Sequence, residues 1–240
     1  METKRWEETT ASAAQSARTC IDPGFNLIGG GARVSGTDAH NVLTASYPEG
    51  NCWLAQTKAG HATLTVWAIG LLDRRDEWEV QVNEQRAVSL TVPKATVSLE
   101  TGYALTGGGG RLVPVSRGLA ASYPASANSW EVIGEEQVSA LGSAISYIIS
   151  IRPRAGGSVP SGLTRASGPA AQPVIVVVLD GYTLTGGGAV AGGANVLRSS
   201  FPEGDKWSAS SNHQDAGSLV RTAVYAIGIK PPAPPPVSGP

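Results

Sequence analysis

The side chains best suited to chemistry in this chain recur along it instead of converging in one motif. Three tryptophans, Trp53, Trp130 and Trp207, each follow by six or seven residues the aromatic of a Ser-Tyr-Pro or Ser-Phe-Pro element, in the polar stretches PEGNCW, PASANSW and PEGDKW. An indole in such a setting serves either as a core anchor reused in every copy or as a platform on which a sugar or other flat ring stacks. Tyr47 and Tyr123 belong to the same elements, while His61 and His213 stand eight and six residues beyond Trp53 and Trp207. Together these seven residues form the candidate ligand-binding set.

Catalytic and metal chemistry find less support. With His40, the two histidines named above are all that the chain has, and their spacing matches neither a metal site nor a catalytic triad. Asp38, Glu49, Asp180, Glu203 and Asp215 are scattered near loops, and only Glu49 and Glu203 share a repeat position. A pair of acids that hydrolyses a glycosidic bond needs a defined separation, which no spacing here specifies. The expectation is a protein that is not an enzyme and uses no metal and no cofactor. The asymmetry of Glu135, Glu136 and Asp215 among the copies is the one feature that leans toward a polysaccharide hydrolase.

Glycine triplets beginning at 29, 107 and 186 are the third recurring feature. They lack the Lys-Ser/Thr ending of a phosphate-binding loop, and no helical pattern follows them. A backbone reason is expected instead: a bulge, a positive φ, or the close approach of another strand.

The elements that must position these residues are strands. The first copy reads GFNLIGGGA, LTASYP, Trp53 and TVWAIGL; the second GYALTGGGG, LAASYP, Trp130 and SYIISI; the third GYTLTGGGA, LRSSFP, Trp207 and VYAIGI. Within them Trp67, Ile69 and Leu71, then Tyr147, Ile149 and Ile151, then Tyr225, Ile227 and Ile229 repeat at every second position, the period of a strand with one face on a core. The copies span about 24–71, 102–151 and 181–229. They are separated by a strand-like spacer over 72–101 and by one over 152–180 that begins as a Gly/Pro-rich loop. Residues 1–20 are read as an N-terminal extension, 21–230 as the three-repeat domain, and 231–240, PPAPPPVSGP after Lys230, as a Pro-rich disordered tail. The Ser-Tyr-Pro element is expected to end a strand and open a loop toward the tryptophan.

Three β copies favour closure around a pseudo-threefold axis, because each copy alone leaves an apolar face and strand edges uncovered. The expected fold is all-β, with three pseudo-symmetric antiparallel repeats in a β-prism-like arrangement and one sheet per copy. A β-trefoil and a string of consecutive small β domains are the alternatives. The landmarks resemble a repeat module of secreted or surface-associated bacterial proteins and cover more than half of the chain. The architecture they imply is similar to that of β-prism lectins and related egg-coat proteins, although no lectin sugar motif matches residue by residue.

Charged residues make up 15% of the chain, with a formal net charge of -1, so there is no basic footprint for nucleic acid. No apolar run approaches a membrane span, and METKRWEETTASAAQSARTC places no apolar stretch after Lys4 and Arg5, so no Sec-type signal is expected. Composition and resemblance favour a secreted or surface-associated protein, and Cys20 and Cys52 would join the N-terminal entry to the first copy if they are bonded. The functional expectation is a binding module for carbohydrate or a cell-surface component, acting through repeated loops and multivalency. The alternative is a structural or partner-binding domain of a larger assembly or toxin, docking through the Trp6-bearing N-terminus and the Pro-rich tail.

Overall fold

The computed structural model describes residues 2–10, 15–36, 38, 41–58, 62–136, 141–169, 172–212 and 220–230. His40, His61, His213, Asp215 and the Pro-rich segment 231–240 lie outside the described residues.

Among the described residues there are eighteen strands and no helix, and each copy supplies six strands. In the first copy these are β1 (Glu2–Thr9), β2 (Ser16–Cys20), β3 (Phe25–Ser35), β4 (Leu43–Glu49), β5 (Cys52–Thr57) and β6 (Thr63–Leu72). The second has β7 (Trp78–Ser89), β8 (Lys94–Ser98), β9 (Ala104–Val113), β10 (Leu119–Ser126), β11 (Ser129–Gly134) and β12 (Gly142–Pro153). The third has β13 (Ser161–Pro169), β14 (Val174–Val177), β15 (Thr183–Ala191), β16 (Leu197–Glu203), β17 (Lys206–Ser211) and β18 (Arg221–Ile229).

The repeat is therefore longer than its landmarks. The segments read as spacers are the opening two strands of the following copy, and the loop-like tract of the second holds β13, which pairs with β18 from Ser161 to Pro169. Residues read as an N-terminal extension do the same for the first copy: β1 pairs with β6 and β2 with β5.

These strands form three six-stranded antiparallel sheets, and no copy owns one. The first sheet has the order β1-β6-β3-β16-β17-β14, joining the first and third copies. The second, β2-β5-β4-β9-β12-β7, joins the first and second, and the third, β13-β18-β15-β10-β11-β8, joins the second and third. One sheet per copy is thus corrected to one sheet per pair of copies. Consecutive independent domains are excluded, because every copy needs both others to complete its sheets. The sheets are open, which excludes the barrel of a trefoil.

Each Ser-Tyr-Pro or Ser-Phe-Pro element sits inside a strand and does not open a long loop. Pro48 lies opposite Trp53, Pro124 opposite Trp130 and Pro202 opposite Trp207. Only two residues separate β4 from β5 and β16 from β17, with Gly50 at φ 59° and Gly204 at φ 62° supplying the left-handed turn conformation.

The glycine triplets explain how three sheets come so close. A Cβ added at Gly29 would come closer than 3.0 Å to the Thr185 carbonyl, one at Gly186 to the Thr106 carbonyl, and one at Gly107 to the Ile28 carbonyl. The first glycines therefore bring β3, β9 and β15 together, one from each copy, and Thr185 Oγ1 donates to the Thr106 carbonyl at 2.8 Å there. A Cβ on the second glycine, Gly30, Gly108 or Gly187, would enter the indole of Trp53, Trp130 or Trp207. One on the third, Gly31, Gly109 or Gly188, would strike the carbonyl of Ser200, Ser46 or Ser122 on the adjoining strand of another copy. Each position in the triplet admits a different neighbour, and a side chain at any of them would push a strand away.

Candidate functional site

The three tryptophans offered as stacking platforms are core residues, which corrects their place in the ligand-binding set. Trp53, Trp130 and Trp207 are 1%, 1% and 0% exposed. Each indole Nε1–H donates inward to a serine two residues before the proline of its own copy: Ser46 at 2.9 Å, Ser122 at 3.1 Å and Ser200 at 2.9 Å. The void bordered by the three rings and the three serines is only about 10 Å³, room for at most one water. A sugar has no access to these rings, because each indole is sealed in the core, filling the space that its second glycine leaves. His61 and His213 lie outside the described residues.

Tyr47 and Tyr123 fare differently. Each third glycine is flanked by two aromatics from different copies. Trp67 pairs with Gly31, Tyr147 with Gly109 and Tyr225 with Gly188, while the Cα atoms of Phe201, Tyr47 and Tyr123 approach the same glycines from the other side. With no Cβ between them the rings meet. Trp67 and Phe201 stack at 4.7 Å between centroids, Tyr47 and Tyr147 stack at 5.2 Å, and Tyr123 and Tyr225 lie tilted at 5.4 Å. Tyr123 and Tyr225 are half-buried, and the other four rings are buried beneath polar side chains.

An arginine covers every pair. Arg33, two residues past Gly31, lies 5.7 Å from the Trp67 ring and 5.3 Å from the Phe201 ring. Arg111, at the same position of the second copy, lies 5.2 Å from Tyr47. In the third sheet that position is Val190, and Arg165 of edge strand β13, opposite Tyr225 in the register, lies over that ring at 5.5 Å. The cation is thus retained although its strand of origin changes.

Carboxylates complete the clusters. Glu7 faces Trp67 across β1 and β6 and accepts from its Nε1–H at 2.9 Å. Glu84 takes the equivalent place opposite Tyr147. In the third sheet the acid is Glu131: it accepts the Tyr123 hydroxyl at 2.8 Å and the Thr96 hydroxyl at 3.2 Å, and pairs with Lys94 at 2.8 Å. Burial works to raise the Glu131 pKa, but Lys94 and the Tyr123 hydroxyl outweigh it and hold the carboxyl below its ordinary range. Burial, reinforced by Glu131, pushes Tyr123 up to about 12, and burial alone is the leading cause that takes Tyr147 to about 12. Both phenols therefore remain hydrogen-bond donors at neutral pH.

The clusters differ in shape. At the first sheet Arg5, Glu7, Arg33, Trp67, Phe201, Pro202, Glu203 and Gly204 line a concavity of about 450 Å³. A second hollow, about 280 Å³, is bordered by Ile133 to Glu136 and Gly193 to Asn195. There Glu135 accepts the Gly118 N–H at 3.0 Å and meets Lys58 at 3.4 Å, and its carbonyl accepts from the fully buried Arg117 at 3.2 Å. That carboxylate is an anchor for the chain around Gly118, which gives Glu135 a structural use; Asp215 lies outside the described residues.

Arg5, Glu7, Arg33, Trp67, Tyr147, Arg165, Tyr225 and Glu131 were absent from the set expected from sequence. The repeat position of Trp67, Tyr147 and Tyr225 was visible as a strand face, and Arg33 and Arg111 share an offset from their triplets. What brings them to Tyr47, Tyr123 and Phe201 is the sharing of sheets between copies. Compared with known proteins, the chain matches no family model and no curated protein.

Proposed function

We propose that this protein is a non-enzymatic, multivalent binding module for carbohydrate, acting through the three aromatic and arginine clusters where the copies meet. The observation that carries this reading is recurrence. Three separate places in the molecule each hold an aromatic pair, a guanidinium lying on it and a carboxylate within reach, although the residues supplying them differ. Ring edges left at the surface, beside guanidinium donors and carboxylate acceptors, complement a pyranose with its hydroxyl groups and C–H faces. Three such places on one chain raise a weak single-site affinity through effective concentration. The Cys20–Cys52 disulfide supports an oxidising, extracellular setting.

A glycan array followed by calorimetry on the best hit tests this. Trp67→Ala, Tyr147→Ala and Tyr225→Ala are each expected to lower apparent affinity, about tenfold where one stacking contact of roughly 1–1.5 kcal/mol is lost, with a larger loss when they are combined. Circular dichroism checks the fold of each variant. Absence of glycan binding by the folded wild-type chain would end this reading. It would favour the partner-binding alternative, to whose terminal docking ends the structure adds an apolar surface of exposed Val88, Leu90, Val113, Val115 and Leu141 around the second sheet.

A further inference from the structure

We infer that the concavity on the first sheet is a site for an acidic saccharide, one that carries a carboxylate or sulfate, held by Arg5 and Arg33. This names the ligand class of one cluster and so rests on the carbohydrate reading above.

The three clusters are not equal in charge. Arg5 stands opposite Ile69 across β1 and β6; the equivalent partners of Ile149 and Ile227 are Val82 and Leu163. At this register position only the first sheet has a guanidinium among the described residues; in the second sheet Arg86 flanks Ile145 opposite Arg111, but it donates to the Ser143 hydroxyl at 3.0 Å. Both Arg5 and Arg33 line the concavity, and neither guanidinium forms a hydrogen bond or salt bridge with another described residue. Both side chains are exposed at the concavity, so an incoming anion reaches their N–H donors without displacing a protein acceptor.

Orientation adds to this. The Arg33 guanidinium lies close to both rings of the pair, and its fork of N–H donors has no acceptor among the described residues, which suits a bidentate anion. The same concavity contains Glu7 and Glu203. These carboxylates disfavour a bare phosphate or sulfate ion, but they accept hydrogen bonds from hydroxyl groups. A ligand that presents an anionic group at one point and hydroxyl groups around it satisfies both signs of charge, and an acidic sugar ring does so.

The test titrates the intact chain with a glucuronate-containing oligosaccharide, a sulfated oligosaccharide and the neutral parent of each. Binding is read by calorimetry and by the NMR shift of the Trp67 indole N–H, with the enclosed Trp53, Trp130 and Trp207 indoles as internal references. The inference expects at least one acidic ligand to bind at a single site about tenfold or more tighter than its neutral parent, with affinity falling as salt rises. The carboxylated and sulfated arms identify which anion is read. Arg5→Gln and Arg33→Gln should each remove most of that preference, and Arg33→Lys should recover only part of it, because the ammonium lacks the fork. Val82→Arg, which puts a guanidinium at the register position of Arg5 in the second sheet, should create a second acidic site. Equal binding of acidic and neutral glycans, unchanged by the arginine variants, would overturn the inference while leaving the carbohydrate reading intact. If no glycan binds but free sulfate shifts the Trp67 N–H, the site is a plain anion site, and both the inference and the carbohydrate reading fall.

Discussion

At the scale of single residues, the same side chain type does opposite work depending on which glycine it meets. The tryptophans beside the second glycines are sealed in the core, whereas Trp67, beside a third glycine, lies under Arg33 at the edge of a concavity. Their recurrence was legible in the sequence because repeated units reuse their anchors. Their burial was not, since polar neighbours such as Asn51 and Lys206 point away across the same tight turns that bring the indoles inward. Glu131 gives a test at this scale. Its folded pKa lies below the unfolded value of about 4.3, so the stability it contributes is fully present above that value and is lost as pH falls through the lower folded pKa. Urea unfolding from neutral pH down through the acid range should therefore show wild type losing stability below the normal glutamate range more steeply than Glu131→Gln does. Parallel profiles would show that Lys94 and Tyr123 do not stabilise the charged form.

At the scale of elements, the triplets decide how strands approach. Alternation of apolar residues made the strands over Thr65 to Leu71 and their counterparts readable, and the glycine runs indicated a geometric constraint. Which constraint applied at each glycine depended on strands far away in sequence. Gly109→Ala would drive its Cβ into the Ser46 carbonyl and the Cα of Tyr47, backbone atoms that cannot turn aside. Equilibrium unfolding should record a loss of about 3 kcal/mol or more, at the upper end for overpacking. Gly102→Ala, at φ 89° with no atom within 4 Å, should cost only about 1 kcal/mol through backbone strain. Equal losses at the two sites would mean that the strands separate readily and that the triplet does not govern their approach.

At the scale of the whole molecule, stability depends on strands from different copies completing one another's sheets. Strand β2 reaches the second sheet only as an edge beside β5, and the Cys20–Cys52 bond ties the two together across a sequence separation of 32. By loop-closure entropy its reduction should lower stability by about 3–4 kcal/mol, visible as a fall in Tm when melts are run with and without reductant. No change would show that the ladder alone holds this edge. The sequence by itself determined that the chain is all-β, that it contains three copies, and where the anchoring tryptophans and glycine triplets recur, because periodicity and repeated spacing are local properties. Tertiary structure decided that the spacers and the strands β1 and β2 belong to the copies, that Trp53, Trp130 and Trp207 are inside, and that aromatics, arginines and acids from different copies meet where the copies join. Those outcomes follow from pairing between residues far apart in sequence, such as Tyr47 with Tyr147 and Trp67 with Phe201, and a strand's own alternation states which face is apolar without stating which strand will cover it.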